Sequence, residues 1–151
     1  SDARVLAIIG SGVQARSHLE AIRHVRPLDA VRVWSPSAAH RDQFAKEMTA
    51  QCGLPVWSAD DAASAVRDAD IVVLATASPT PVVAAADIAP GTHICAVGAC
   101  RPTQREMPGS LVAAARLFVD SREAATVEAG DIVLAMSEGL ITERHIAGEI
   151  G

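Results

Sequence analysis

Six residues near the start of the chain, Gly10-Ser11-Gly12-Val13-Gln14-Ala15, lie between an apolar run from Arg4 to Ile9 and a stretch with helical spacing. That junction fits few folds. Gly10 permits a tight strand-to-helix turn, and Gly12 leaves the backbone bare on the side where a ligand would approach. Ala15 stands where a third glycine is common and is still small enough for close packing of helix on sheet. The first amides of the helix have no partners of their own and point outward, a ready site for a pyrophosphate. The reading is a dinucleotide cradle. A glycine-bearing turn serving another ligand, as in a methyltransferase, is the alternative.

The rest of the chain repeats the same alternation. After the helix from Val13 to about Val25, with His18, Leu19, Ile22 and Val25 on one side, Ala30 to Trp34 reads as a second strand. Ser37 caps a helix that Gly53 and Pro55 stop after Cys52. Val56-Trp57 is a short third strand, and Ser58 reads as the N-cap, with Asp60 and Asp61 acidic in the first turn, of a helix ending near Arg67. Ile71 to Ala75 is apolar throughout and belongs at the centre of a sheet. Thr92 to Val97 is a fifth strand. A helix runs from Pro108 to about Ala115, and Leu117 to Val119 is a sixth strand. Three short helices follow, from Ser121 to Ala129, Asp131 to Ser137 and Thr142 to Ile150.

Half of the 151 residues are apolar but only 3% aromatic, so the core is built from Ala, Val, Leu and Ile. Together these features predict an α/β fold with a doubly wound parallel sheet, the NAD(P)-binding Rossmann fold, as one domain over 1–151. The expected strand order is 3-2-1-4-5-6.

In such folds ligands lie outside the carboxyl ends of the strands. After the fourth strand that places Ala75 and Thr76, with Thr76 able to bond the ribose or nicotinamide. After the fifth it places Val97, Gly98 and Ala99, the last two small enough for the ring to lie close to backbone. NAD-binding domains carry an acidic residue about 20 residues beyond the glycines, bonded to the ribose 2′-hydroxyl. Here the second strand ends Trp34-Ser35-Pro36-Ser37. With no carboxylate there, Ser35 and Ser37 able to donate to a 2′-phosphate, and Arg41 one turn further on, NADP is the expected cofactor and NAD the alternative. Arg32 lies within the strand, further from that phosphate.

Four stretches resemble one known family in order along nearly the whole chain. Gly10-Ser11-Gly12-Val13-Gln14-Ala15-Arg16-Ser17-His18 is similar to the GxGxQAxxH start of the ornithine cyclodeaminase/mu-crystallin family. Val97-Gly98-Ala99-Cys100-Arg101-Pro102-Thr103-Gln104-Arg105-Glu106-Met107 resembles its VGAxxPxxREL segment. Val119-Asp120-Ser121-Arg122-Glu123-Ala124-Ala125 and Glu128-Ala129-Gly130-Asp131 resemble its VDSxxxA and ExGD stretches. The resemblance implies a chain about twice as long, whose flanking segments form a homodimer and supply most substrate-binding residues. The single lysine, Lys46, reads as surface, so the family's substrate-side lysine has no counterpart here. The chain, which opens on Ser rather than Met, is expected to be a cofactor-binding fragment without full activity, and its catalytic residues are unknown.

In the cyclodeaminase branch an aspartate follows the VG-x turn, where this chain has Cys100. A thiol with an ordinary pKa near 8.5 does not replace a carboxylate charged at neutral pH. Cys100-Arg101-Pro102 is instead similar to the mu-crystallin and ketimine reductase branch, which implies NADPH-dependent reduction of a cyclic imino acid. An NAD-dependent ornithine cyclodeaminase and a non-enzymatic, crystallin-like nucleotide binder are the alternatives. The substrate is expected to be a small imino or amino acid.

Other features narrow the field. A net charge of −5 argues against nucleic acid or an anionic membrane as partner, and no run of about 18 apolar residues is present. Cys52, Cys95 and Cys100 show no disulfide or zinc spacing and read as reduced thiols of a cytoplasmic protein. The five histidines show no metal-ligand spacing, so no metal is expected. His18 reads as a packed, hydrogen-bonded core residue rather than a base, Asp60-Asp61 as a response to the helix dipole, and Trp34 and Trp57 as packing on each other or on adenine. Arg101 and Arg105 read as solvated surface, with steering of an anionic substrate as the alternative. Apolar area left bare by absent flanks gives an expected tendency to self-associate.

Overall fold

The computed structural model describes residues 2–150, which form two compact units. The first runs to Thr76 and takes in Ala86–Val97; the second comprises Ala77–Ala85 and the chain from Gly98 onward.

The first unit is built on a five-stranded parallel sheet: β1 (Val5–Ile9), β2 (Ala30–Trp34), β3 (Val56–Ser58), β4 (Ile71–Leu74) and β5 (His93–Ala96), in the order β3-β2-β1-β4-β5. β1 and β4 are paired on both sides, with Leu6 opposite both Val31 and Ile71. Strands that central are buried on both faces, and β4 is buried at every residue, as its unbroken apolar run predicts.

Alternation along the strands sends Leu6, Ile8, Val31, Val33, Ile71 and Val73 to one face. There they meet Ala15 and Leu19 of α1 (Val13–Val25) and Phe44, Ala45 and Met48 of α2 (Ala38–Cys52). α2 starts where the Ser37 hydroxyl accepts the His40 amide, and ends at Gly53, whose φ of 68° is the left-handed cap glycine allows. Arg16 fastens the two helices: its guanidinium lies 2.7 Å from Glu47 and 5.2 Å from the Phe44 ring centre. α3 (Ala62–Val66) packs against β1 and β2. Its cap is reciprocal, with Asp61 accepting from the Ser64 amide at 2.6 Å and the Ser64 hydroxyl accepting from the Asp61 amide. The cap expected at Ser58 is therefore Asp61, Ser58 ends β3, and Asp60 lies outside the helix.

The second unit holds α4 (Gly109–Ala114), α5 (Arg122–Glu128) and α6 (Gly130–Ser137), with α6 against the other two. It also holds β6 (Leu117–Val119) and β7 (Ile146–Glu149), paired in parallel as a separate two-stranded sheet. Two expectations are corrected here. The sixth strand does not extend the main sheet in the order 3-2-1-4-5-6 but pairs with β7. The segment expected to be a helix from Thr142 to Ile150 is a 3₁₀ turn, Glu143–His145, followed by that strand. Gly148 lies across from Phe118 and leaves the ring just enough room: a Cβ there would stand 3.4 Å from it.

Candidate functional site

The glycine turn is pinned by its neighbours. Gly10 has φ of 120°, which L side chains rarely adopt, and its amide donates to the Trp34 carbonyl at 2.8 Å. A Cβ on Gly10 would stand 2.5 Å from the Ala75 carbonyl oxygen, so glycine is obligatory. At Gly12 the reverse holds. It is exposed, and nothing lies within 4 Å of where a Cβ would be.

Gly12 is also the cap of α1, with no side chain closing the helix end and no acidic residue in the first turn. Neither a capping side chain nor a first-turn acid offsets the partial positive charge of the helix end, and Gly12 leaves that end open. Val13 is 78% exposed and Gln14 is exposed, whereas Ala15 is buried under the sheet. The turn thus presents backbone and its small-residue anchor faces inward, the arrangement a pyrophosphate fits.

At the end of β2 the chain forms a cluster of hydroxyls around a guanidinium. Ser35 is buried, 5% exposed, and its hydroxyl accepts from Ser11 at 3.0 Å. In turn it donates to the Ser37 carbonyl at 3.4 Å. Arg41 is half-buried and its Nη1 donates to the Ser35 carbonyl at 3.0 Å. Its Nε is buried with no partner among the described residues. No carboxylate occurs from Trp34 to Arg41. Ser37 spends an acceptor on the His40 amide, yet a hydroxyl keeps its own proton to donate. Arg32, by contrast, points elsewhere and donates to the Ser64 carbonyl.

Ala75 and Thr76 follow β4, the Ala75 amide bonding the Ile9 carbonyl at 2.8 Å. Val97 follows β5, its amide on the Leu74 carbonyl at 2.9 Å. The first unit therefore brings the glycine turn, Ser35 and Ala75 into contact, and places Thr76 and Val97 beyond the carboxyl ends of adjacent strands.

Gly98 and Ala99 open the second unit. The Gly98 amide donates to the Glu106 carboxylate at 2.7 Å, and the Ala99 carbonyl accepts from Gly130 at 3.0 Å. Glu106 is fully buried. The Asp131 carboxylate, also buried, accepts from the Glu106 amide at 2.9 Å and the Met107 amide at 3.0 Å. Burial pushes the Asp131 carboxyl above its ordinary range, against the pull of those two amides.

Arg105 is not solvated. It makes a two-pronged ion pair with Glu138, at 2.7 and 3.0 Å, and its side chain is 15% exposed. Arg101 and Cys100 are exposed. His18 is hydrogen-bonded as expected, its Nδ1 donating to the Gln14 carbonyl at 2.8 Å within the helix, but it is half-buried rather than in the core. Trp57 is 61% exposed, so the edge strand does not bury it. Sequence reasoning passed over Glu106, Asp131 and Gly130 as working parts. The ExGD and REL-like stretches carried that signal.

The parallel sheet, the pinned glycine turn and the uncapped first helix define a Rossmann-type nucleotide-binding fold. Comparison with known proteins agrees. The chain belongs to the ornithine cyclodeaminase/mu-crystallin family, whose model matches residues 1–151. It is 36% identical to the Δ1-pyrroline-2-carboxylate reductase of Bacillus cereus over 99% of its length and 46% of that protein's. It is 40% identical to mouse ketimine reductase mu-crystallin over 87% of its length and 41% of that protein's. The structure of the Thermococcus litoralis Δ1-pyrroline-2-carboxylate reductase in complex with NADH and L-proline matches with a TM-score of 0.95 and 37% identity, covering 98% of this chain and 46% of that one. The chain spans a little under half the length of these relatives.

Proposed function

We propose that this chain is the cofactor-binding part of an NADPH-dependent reductase of cyclic imino acids, working as a homodimer in the cytoplasm. The observation that carries the reading is the glycine turn. Gly10 is held where only glycine fits, and Gly12 leaves an open approach to the amides of α1. Those amides, from Gly12 to Ala15, would hold the pyrophosphate. A cofactor held by these amides would supply the hydride that a protonated imine carbon readily accepts. The first unit's own task is alignment, given to Thr76 and Val97 beyond the carboxyl ends of β4 and β5. Catalytic side chains are assigned outside these residues.

The choice of NADP over NAD rests on the end of β2. Without a carboxylate the loop does not repel a 2′-phosphate, and the Ser37 hydroxyl and the anchored guanidinium of Arg41 are the donors beside it; the buried Ser35 hydroxyl, expected to donate as well, instead gives its proton to the Ser37 carbonyl. Support for a cyclic imine as substrate comes from the named reductases among the relatives and from Cys100, where the cyclodeaminase branch has an aspartate.

Calorimetric titration with NADPH and NADH tests the first part. NADPH binding that weakens at least about ten-fold in Arg41→Ala, with NADH unaffected, is the expected result, since a charged hydrogen bond is worth about 1.5–3 kcal/mol. A preference for NADH overturns the NADP assignment. For the reaction, the intact protein is expected to oxidise NADPH in the presence of pyrroline- or piperideine-2-carboxylate. Ammonia release from ornithine would move the assignment to a cyclodeaminase.

A further inference from the structure

Among the described residues of the first unit, Ser35 is the one buried polar side chain. A buried hydroxyl is costly unless it is bonded, and alanine fills nearly the same space without that demand. What the hydroxyl does is join two segments. On one side it accepts from the Ser11 hydroxyl at 3.0 Å, within the glycine turn, and on the other it donates to the Ser37 carbonyl at 3.4 Å. Ser37 is the N-cap of α2, and the same carbonyl takes the Arg41 amide at 3.1 Å. The main chain of Ser35 holds Arg41 a second time, its carbonyl accepting from Nη1 at 3.0 Å. One residue therefore ties the glycine turn to the start of α2 and anchors the guanidinium. A main-chain bond from Gly10 to Trp34 keeps β1 and β2 side by side without it. The two hydroxyls reach past the strand end, to the loop itself.

We infer that Ser35 is a positioning residue for cofactor selectivity: its side-chain hydroxyl fixes the first turn of α2, and with it the Ser37 hydroxyl and the Arg41 guanidinium, at a set distance from the glycine turn. The inference rests on the proposed 2′-phosphate site at the end of β2. In the cofactor a ribose separates the 2′-phosphate from the pyrophosphate. Donors for one are useful only when they stand at the matching span from the donors for the other. The relay from Ser11 through Ser35 to Ser37 is the strut that sets this span. NADH carries a hydroxyl in place of the 2′-phosphate and has no use for it.

The test is calorimetric titration of NADPH and NADH into the unsubstituted chain, Ser35→Ala, Ser11→Ala and the double variant, with phosphorus NMR of NADPH at saturation. Each single substitution breaks the relay at a neutral hydrogen bond, worth about five-fold in a binding constant, and is expected to lower the preference for NADPH over NADH by about that factor. The double variant is expected to lose no more than the larger single loss, because both substitutions sever one relay. In the spectrum the 2′-phosphate resonance is expected to move back toward its position in free NADPH, while those of the pyrophosphate stay. An unchanged preference in both single variants overturns the inference. So does equal weakening of the two cofactors, which a merely structural serine would give. Loss in Ser35→Ala alone marks a direct contact of its hydroxyl with the phosphate, and losses that multiply in the double variant mark two separate contacts; either overturns the relay. Should Ser35→Ala lose its circular dichroism, Ser11→Ala decides in its place, because it withdraws the donor from the half-buried end. Selective loss of NADPH then supports the inference, and any other pattern overturns it. Arg41→Ala separates the inference from the reading beneath it. If that variant loses NADPH while the serine variants keep it, the relay falls and the NADP assignment stands. If the unsubstituted chain prefers NADH or binds neither cofactor, the assignment falls and the inference with it.

Discussion

Adding one methyl group at Gly10 and one at Gly12 damages different properties, although the positions are two residues apart. In Gly10→Ala the side chain enters at φ of 120° and 2.5 Å from a main-chain oxygen, Ala75 O, that no rotamer change can move aside. The backbone strain alone costs about 1–3 kcal/mol. Relieving the contact means separating the turn from Ala75, which strains the bonds from Gly10 to Trp34 and from Ala75 to Ile9, each worth about 1 kcal/mol. The sum is about 3–5 kcal/mol, a large share of the roughly 5–15 kcal/mol that keeps a domain folded.

Gly12→Ala meets nothing, and φ of −87° suits alanine. Its poorer capping costs up to about 1 kcal/mol and a stiffer unfolded chain returns about half of that, so stability barely moves. What the methyl does is stand where a phosphate would approach, and the expected loss of NADPH affinity is about ten- to a hundred-fold. Urea unfolding followed by the emission of Trp34 and Trp57, alongside calorimetric titration, separates the two effects. Unimpaired NADPH binding in Gly12→Ala would refute the pyrophosphate assignment, and a normal urea midpoint in Gly10→Ala would refute the steric argument.

Gly130→Ala drives a Cβ into two loop carbonyls and is expected to lower stability by about 3 kcal/mol or more, read from its urea midpoint. A wild-type midpoint would show that the loop gives way. On acidification, four carboxylates lose what holds them. Glu47 bonds Gln43 and Arg16, Asp61 the Ser64 amide, Asp70 the amides of Arg4 and Val5, and Glu138 Arg105; all four are held below their ordinary range. A lowered folded pKa contributes stability above the unfolded value and loses it as pH falls through the folded one. Asp131, raised by burial, runs the other way, and its ionisation costs stability as pH climbs past the unfolded value. Four against one, the urea midpoint is expected to drop below about pH 4; a midpoint flat down to about pH 3 contradicts this. Among the thiols, exposed Cys100 is expected to react first with a disulfide reagent, ahead of Cys95, which burial pushes up. Peptide mapping that finds Cys95 labelled first would reverse the order.

The main sheet was legible because its strands are apolar runs flanked by turn residues, and α2 carries a recognisable cap at Ser37; the cap of α3 was misplaced at Ser58, because Asp61 reads equally well as a first-turn acid. Periodicity sufficed wherever an element was long or fully buried. It failed at the end of the chain. Ile146–Glu149 is four residues long, contains a glycine, and alternates no better as a strand than as a helix. Only its pairing with β6, twenty-seven residues away, decides its state. Arg105 reads as surface, and Glu106 stands out only through the family resemblance, for a related reason. Charged side chains are usually solvated, and nothing local reveals that one is paired with Glu138 and the other buried against Gly98. At the candidate site the glycines, Ser35 and Arg41 were visible as types at a known spacing. The hydroxyl link from Ser11 to Ser35 was not, since it joins residues twenty-four apart.

The way Gly10 is held has a bearing on synthesis. Its amide waits for Trp34 and its α-carbon rests against Ala75, so the turn has no template until two later strands have arrived. A nascent chain that has left the ribosome only as far as β3 carries every residue of the glycine sequence and still lacks the shape. Binding competence therefore appears late and all at once, when β4 slots in beside β1, and the cofactor cannot act as a nucleus for the strands that build its own cradle.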